Sequence, residues 1–194
     1  MKGFTLIESM VAITILTLAM TGPLFTASRA IIAAETSRDQ LTAAYLAQEG
    51  IEYVRAMRDN EYLLAYHTGG QNISGDAWSA FLNNPSTDLS SVNNCNATVN
   101  ALQACTLDPV SGVSTQSCST GVEGSCMPLR LIKDDSGRSL YRQQSSGGTP
   151  TPFTRTIQVL EITASETKVL SKVSWNYHGT PYSITVSDHL TAWQ

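Results

Sequence analysis

The feature that most constrains this chain is an apolar run from Phe4 to Phe25 that holds a single carboxylate, Glu8. As a helix, about 22 residues would span roughly 33 Å, one hydrocarbon thickness. A carboxylate at the centre of a bilayer costs about 2.5–3.5 kcal/mol, and less towards the end of a span, where Glu8 lies. A retained carboxylate there asks for a cationic partner. Three residues precede the run, Met1-Lys2-Gly3, with one positive charge. Cleavage between Gly3 and Phe4 would create the partner, because the new amine at Phe4 has a pKa of about 7.7–8.0. In a helix starting at Phe4, Glu8 lies one turn on, on the same face. The helix dipole also favours a carboxylate at that end.

Two other readings of the segment stand beside this one. The first is an ordinary secretory signal, with Lys2 as its basic start and cleavage after Ser28-Arg29-Ala30. Against it, Glu8 interrupts the apolar region, and Leu24-Phe25 carry that region past the usual ~7–15 residues. The second is an uncleaved membrane anchor. Gly22-Pro23 is expected to kink or loosen the helix, since proline lacks an amide hydrogen.

Residues 27–66 read as the amphipathic continuation of the same helix. The stretch has no proline, and Gly50 alone interrupts a field of Ala, Leu, Glu, Gln and Arg. Ile31, Ala34, Leu41, Tyr45, Ile51, Val54 and Met57 or Arg58 fall near one face and are its expected buried side. Glu52 and Arg55, three apart, form a helix-stabilising pair. A helix from Phe4 to Tyr66 would be near ~90 Å long, too long to bury itself in a small domain. Its first half needs a membrane or sister helices, and its second half needs its own chain.

Residues 67–127 read as a loop region. Gly69-Gly70 ends the helix, and Asn83-Asn84-Pro85-Ser86, Asn93-Asn94 and Ser111-Gly112 punctuate the stretch. Trp78-Ser79-Ala80-Phe81-Leu82 is its one clearly apolar cluster, a single helical turn. The four cysteines, Cys95, Cys105, Cys118 and Cys126, all fall here. An even count in an exported chain reads as two disulfides. Of the three connectivities, Cys95–Cys105 with Cys118–Cys126 is favoured because short loops close most easily. No C-x-x-C and no nearby histidine supports a metal site.

Residues 128–194 read as an antiparallel sheet. Pro128–Ile132 and Ser139–Arg142 flank the turn Asp134-Asp135-Ser136-Gly137. Ser145–Pro150 reads as a flexible connection. Phe153–Thr163 is rich in Thr, Ile and Val. Val169, Val173, Trp175 and Tyr177 alternate with Lys172, Ser174 and Asn176, and Tyr182, Ile184 and Val186 alternate with Ser183, Thr185 and Ser187. One apolar face and one polar face predict a sheet covered on one side, with the helix as cover. The fold class is therefore α+β: a long N-terminal helix packed on a C-terminal antiparallel sheet.

Gly3-Phe4-Thr5-Leu6-Ile7-Glu8, followed by an apolar helix with Pro23 near its far end, resembles the start of type IV pilins and type II secretion pseudopilins. The resemblance is specific over residues 1–25. It implies a leader of residues 1–3, cleavage between Gly3 and Phe4 by a prepilin peptidase, and N-methylation of Phe4. It implies a transmembrane and filament-core segment at 4–26, and pairing of Glu8 with a neighbouring subunit's N-terminal amine during assembly. Its implied partners are the peptidase, other pilin or pseudopilin subunits, the assembly platform and, before assembly, the bacterial inner membrane, with the C-terminal domain outside the cytoplasm. Residues 43–52 are similar to the helix of minor pilins and of I-type or V-type pseudopilins. No cysteine follows Cys126, so the C-terminal cysteine loop of many major pilins is missing, which fits a minor pilin or pseudopilin better.

Residues for catalysis do not assemble in the sequence. His67, His178 and His189 are scattered, and neither a phosphate loop nor a G-x-S-x-G motif occurs. An enzyme, a cofactor and a metal are not expected. Asp134 and Asp135, adjacent and without further oxygen ligands, read as turn residues rather than a calcium site. Asn72-Ile73-Ser74 and Asn96-Ala97-Thr98 match a short glycosylation sequon. Net charge is −4, which gives no general attraction to nucleic acid. Arg130, Lys133, Arg138 and Arg142 around one hairpin form the single basic patch for a second reading, a filament-tip adhesion or DNA-capture subunit; DNA is not the expected partner.

Overall fold

The computed structural model describes residues 3, 5–69, 71–83, 95, 104–108, 114–118, 126–144, 146–160 and 163–192. Phe4, Lys2, Pro85, the Asn93-Asn94 and Ser111-Gly112 turns, the sequon at Asn96, Ser145 and Trp193 lie outside them. The chain divides into two units, Met1–Leu41 and Thr42–Gln194.

The first unit is helical. Helix α1 (Leu6–Thr68) begins here, and its helical backbone runs unbroken through Gly22-Pro23. Every described residue from 5 to 35 is exposed, so the helix gains nothing from packing within this unit. Its hydroxyls turn back onto its own backbone. Thr14 donates to the Val11 carbonyl at 2.8 Å, Thr17 to Thr14 at 2.9 Å, and Thr21 to Leu18 at 2.9 Å. Ser9, Thr26 and Ser28 do the same. Polar groups satisfied in this way carry little penalty in an apolar solvent.

Among the described residues the second unit holds the rest of α1, helix α2 (Ile73–Asn83) and eight strands: β1 (Cys105–Asp108), β2 (Ser114–Ser117), β3 (Arg130–Lys133), β4 (Ser139–Arg142), β5 (Thr149–Pro150), β6 (Thr154–Leu160), β7 (Glu166–Tyr177) and β8 (Thr180–Thr191). The main sheet has the order β2-β1-β6-β7-β8, and a small sheet has the order β4-β3-β5; every pairing is antiparallel. Strands β7 and β8 are joined by His178-Gly179, both at positive φ (49° and 84°). Positive φ at both central residues is what a two-residue hairpin turn needs to match strand twist.

Two apolar clusters cement α1 to the sheet. In one, Ile51, Val54 and Met57 meet Ile157, Val159, Val169 and Leu190, with Trp78 and Phe81 of α2 added. In the other, Ala43, Leu46 and Ala47 meet Leu129, Phe153, Val173 and Trp175. Alternation along β7 buries Thr167, Val169, Ser171, Val173 and Trp175 in turn. The sulfurs pair as Cys95–Cys105 and Cys118–Cys126.

The structure corrects the first half of the expected helix face. Ile51, Val54 and Met57 are buried as expected, but Ile31, Ala34, Leu41 and Tyr45 are exposed, and Ala43, Leu46, Ala47, Gly50 and Glu61 complete the buried side of α1. The physical reason is close approach. A Cβ on Gly50 would overlap Ser171 Oγ and stand 3.1 Å from both Arg155 Cδ and Ile157 Cδ1. Small residues let the helix sit low on the sheet, and a search for large apolar residues passes over them. The region read as loop also holds more structure than expected: α2 is 11 residues long, and β1 and β2 join the main sheet. Strand β1 is buried at all four positions, so it shows no alternation to find. The expected single sheet over 128–194 is two, since β3, β4 and β5 form their own.

Candidate functional site

The chemistry of the N-terminus is arranged by the first turn of α1. The Thr5 carbonyl accepts from the Glu8 amide at 3.1 Å and from the Ser9 amide at 3.2 Å, which starts the helix. Glu8 therefore stands in the first turn, where exposed amide hydrogens and the helix dipole favour a carboxylate. Its side chain is exposed, and no cation among the described residues pairs with it. Gly3 is exposed, and a Cβ there would meet nothing within 4 Å, so the backbone next to the expected scissile bond is open to a protease cleft. Phe4 itself lies outside the described residues. Helix α1 is long and apolar enough near the N-terminus to cross a membrane. At the far end of the apolar run Arg29 covers the Phe25 ring at 5.2 Å.

A second polar constellation lies in the core of the other unit, and the sequence reading missed it. Arg155 on β6 is fully buried. Its Nη1 donates to Glu49 Oε2 at 2.8 Å and to the Leu46 carbonyl at 3.2 Å, and its Nη2 donates to the Leu107 carbonyl at 3.1 Å. Tyr53 donates to the other Glu49 oxygen at 2.8 Å, and the guanidinium lies 5.5 Å from the Tyr53 ring. Burial, then the hydrogen bond to Glu49, pushes the Tyr53 hydroxyl up to about 12. Gln143 completes the set: it accepts from the Leu107 amide at 3.2 Å and donates to the carbonyls of Arg155 and Met127 at 2.7 and 2.8 Å. One cation thus ties α1, β1 and β6 together. The single signal in the sequence was an arginine inside a strand of Thr, Ile and Val, where a charge is buried only if it is paired. The network holds the fold: Arg155 is closed off from solvent, and Glu49, its partly exposed member, reaches the surface beside β8.

The remaining expected positions fall as follows. The hairpin between β3 and β4 carries the expected basic residues, and its three arginines are all engaged within the chain. Arg138 pairs with Asp134 at 2.8 Å, Arg142 pairs with Asp108 at 3.1 Å, and Arg130 donates to the carbonyls of Gly147 and Gly148. The Asp134 carboxylate also accepts from the amides of Ser136 and Arg138, at 3.0 and 2.8 Å, so it is a turn residue. Asn72 accepts from the Gly75 amide at 3.2 Å and caps α2. His189 lies 2.7 Å from Glu166, His178 is in the β7–β8 turn, and His67 is in the last turn of α1. Among the described residues no three histidine, cysteine or acidic side chains gather as metal ligands. Arg55 pairs with Glu52 at 2.6 Å, as its spacing predicts, and also with Asp188 at 2.9 Å.

Comparison with known families matches residues 1–22 to the prokaryotic N-terminal methylation motif. The matched span holds Gly3, Phe4, Glu8 and most of the apolar run. Neither the curated proteins nor the solved structures give a match.

Proposed function

We propose that this chain is the precursor of a structural subunit of an extracytoplasmic filament, a minor pilin or pseudopilin of a type IV pilus or a type II secretion system. The observation that carries the reading is the methylation motif at residues 1–22, set at the start of a helix whose later part packs on an antiparallel sheet. In this reading a prepilin peptidase cuts between Gly3 and Phe4 and Phe4 is N-methylated. The exposed apolar part of α1 is held first by the inner membrane and then by sister helices. Glu8 meets the Phe4 amine of a neighbour, and low dielectric strengthens their attraction. The role is assembly rather than catalysis.

The test is the N-terminus and intact mass of the protein from cells with and without a prepilin peptidase. The reading expects a chain starting at N-methylated Phe4 only when the peptidase is present. A chain starting after Ala30 would make it a secreted domain, and one retaining Met1 in both strains would make it a membrane-anchored protein outside the filament.

A further inference from the structure

The main sheet ends in a strand that has the form of a docking template. Strand β8 is 12 residues long and stands at the edge of the order β2-β1-β6-β7-β8. Tyr177↔Thr180 closes the two-residue turn, and the register continues through Trp175↔Tyr182, Val173↔Ile184 and Ser171↔Val186. In an antiparallel pair the closing position is hydrogen-bonded and bonding alternates from there. Tyr182, Ile184, Val186 and Asp188 therefore use their amides and carbonyls on β7. Ser183, Thr185, Ser187 and His189 turn theirs outward. Exposed edges are normally blunted by lysines, prolines, bulges or shortness. Here Pro181 guards one end and Asp188, an inward-side charge paired with Arg55, stands near the other, while the stretch Ser183–Ser187 carries none of these devices.

A cleft runs beside this edge. Its floor is Val186, Ser187 and Asp188, and its wall is the face of α1 that presents Tyr45, Gln48, Glu49, Glu52 and Arg55. Its volume is about 480 Å³, room for a few side chains. An edge strand with a helix standing over it is the geometry in which an added strand gains main-chain hydrogen bonds on one side and side-chain pockets on the other. The charge of the lining is unbalanced. Glu49 is held by Arg155, while Glu52 and Asp188 share the single Arg55, which leaves one negative charge in excess.

We propose that the β8 edge and this cleft receive an extended segment of a partner protein as a sixth strand of the main sheet. Alternate side chains of that segment enter the cleft, apolar against Tyr45 and Val186, with a lysine or arginine against Glu52. The proposal rests on the fold of residues 42–194 and stands whether or not the chain enters a filament.

The experiment uses the full isotope-labelled chain in detergent micelles. The probe is an eight-residue peptide with threonine at one set of alternate positions and valine with one lysine at the other. At saturating peptide, amide exchange at Ser183, Thr185, Ser187 and His189 is expected to slow at least roughly tenfold, with little change at Ile184 and Val186. Thr185→Pro removes an outward amide that the β7 ladder does not use, and Ser187→Lys places a charge at the edge without touching the backbone. Both should abolish the protection. Glu52→Lys should weaken the lysine peptide and favour one with glutamate in its place. Absence of the alternating pattern, or binding unaltered by both edge variants, would overturn the proposal. So would self-association that protects the same amides without peptide, because the edge would then belong to a second copy of the chain.

Discussion

The two parts of helix α1 use apolar residues in opposite ways. Before Leu41 the large side chains, from Leu6 and Ile7 to Phe25 and Ile32, all face outward. After Thr42 the buried side mixes three small residues, Ala43, Ala47 and Gly50, with the larger Leu46, Ile51, Val54, Met57 and Glu61. One periodicity thus serves two environments. In the first part the run up to Phe25 is apolar all round but for Glu8, and its hydroxyls are satisfied internally, so nothing within the unit covers it. In the second part the partner is the chain's own sheet, and small residues matter because they set how near the helix can come. Apolar content says that a surface will be covered, and residue size says by what.

The sharpest way to break this comparison is at Glu8, the one ionisable group in the first turns of the outward-facing part. Glu8→Ala is expected to leave peptidase processing and the fold of residues 42–194 intact while abolishing incorporation into a filament. Sheared filaments probed for the subunit, beside its N-terminal mass in the membrane fraction, measure both. Efficient assembly of the alanine variant would sink the role given to Glu8.

In the second part the largest effect is expected at Arg155. Removing one partner of a buried ion pair costs about 3–5 kcal/mol. The Glu49 side chain keeps 35% of its surface exposed and can be rehydrated, so Arg155→Met should fall at the lower end, about 3 kcal/mol. Denaturant unfolding in detergent, followed through the buried Trp78 and Trp175, gives the number. A loss under about 1 kcal/mol would mean the network is replaceable by packing.

A glycine pair carries the comparison itself. Gly50→Leu must push atoms of Ser171, Arg155 and Ile157 apart, and overpacking of this kind costs about 1–3 kcal/mol. Gly22→Leu adds a side chain where nothing lies within 4 Å and should leave the same unfolding transition unmoved. Equal effects at the two sites would contradict the close approach at Gly50.

These residues also mark where the sequence was legible. Strands β7 and β8 stood out because alternation survives when one face is buried, and the helix because no proline follows Pro23 in it. The N-terminal site was legible because a carboxylate in an apolar run is costly and therefore conspicuous. Strand β1 was not, because four residues buried on both faces carry no period. The Arg155 network was not, because Glu49, Gln143 and Arg155 are far apart in the chain and each alone reads as a surface residue. Gly50 reads as an interruption of the helix until the sheet beneath it is known.

The smallest expected effect is a titration. Tyr53 holds Glu49 through its hydroxyl, and burial followed by that hydrogen bond raises its pKa from 10.0 to about 12. The unfolded chain therefore loses this proton at lower pH than the folded one. The stability contributed by the raised pKa is fully present below pH ~10 and is lost as pH rises through ~12. Tyr53→Phe should cost about 1 kcal/mol at neutral pH, the net worth of one hydrogen bond. Between pH ~10 and ~12 its stability should fall less steeply than that of the parent, by up to about one proton. Unfolding curves at several alkaline pH values measure the slope. Identical slopes would mean that the Tyr53 proton is not held by Glu49. The hydroxyls of Thr14, Thr17 and Thr21 make their bonds to helix carbonyls and have no proton to lose in this range. The contrast between a helix that satisfies itself and one that depends on its sheet would then be readable as a pH dependence confined to the second.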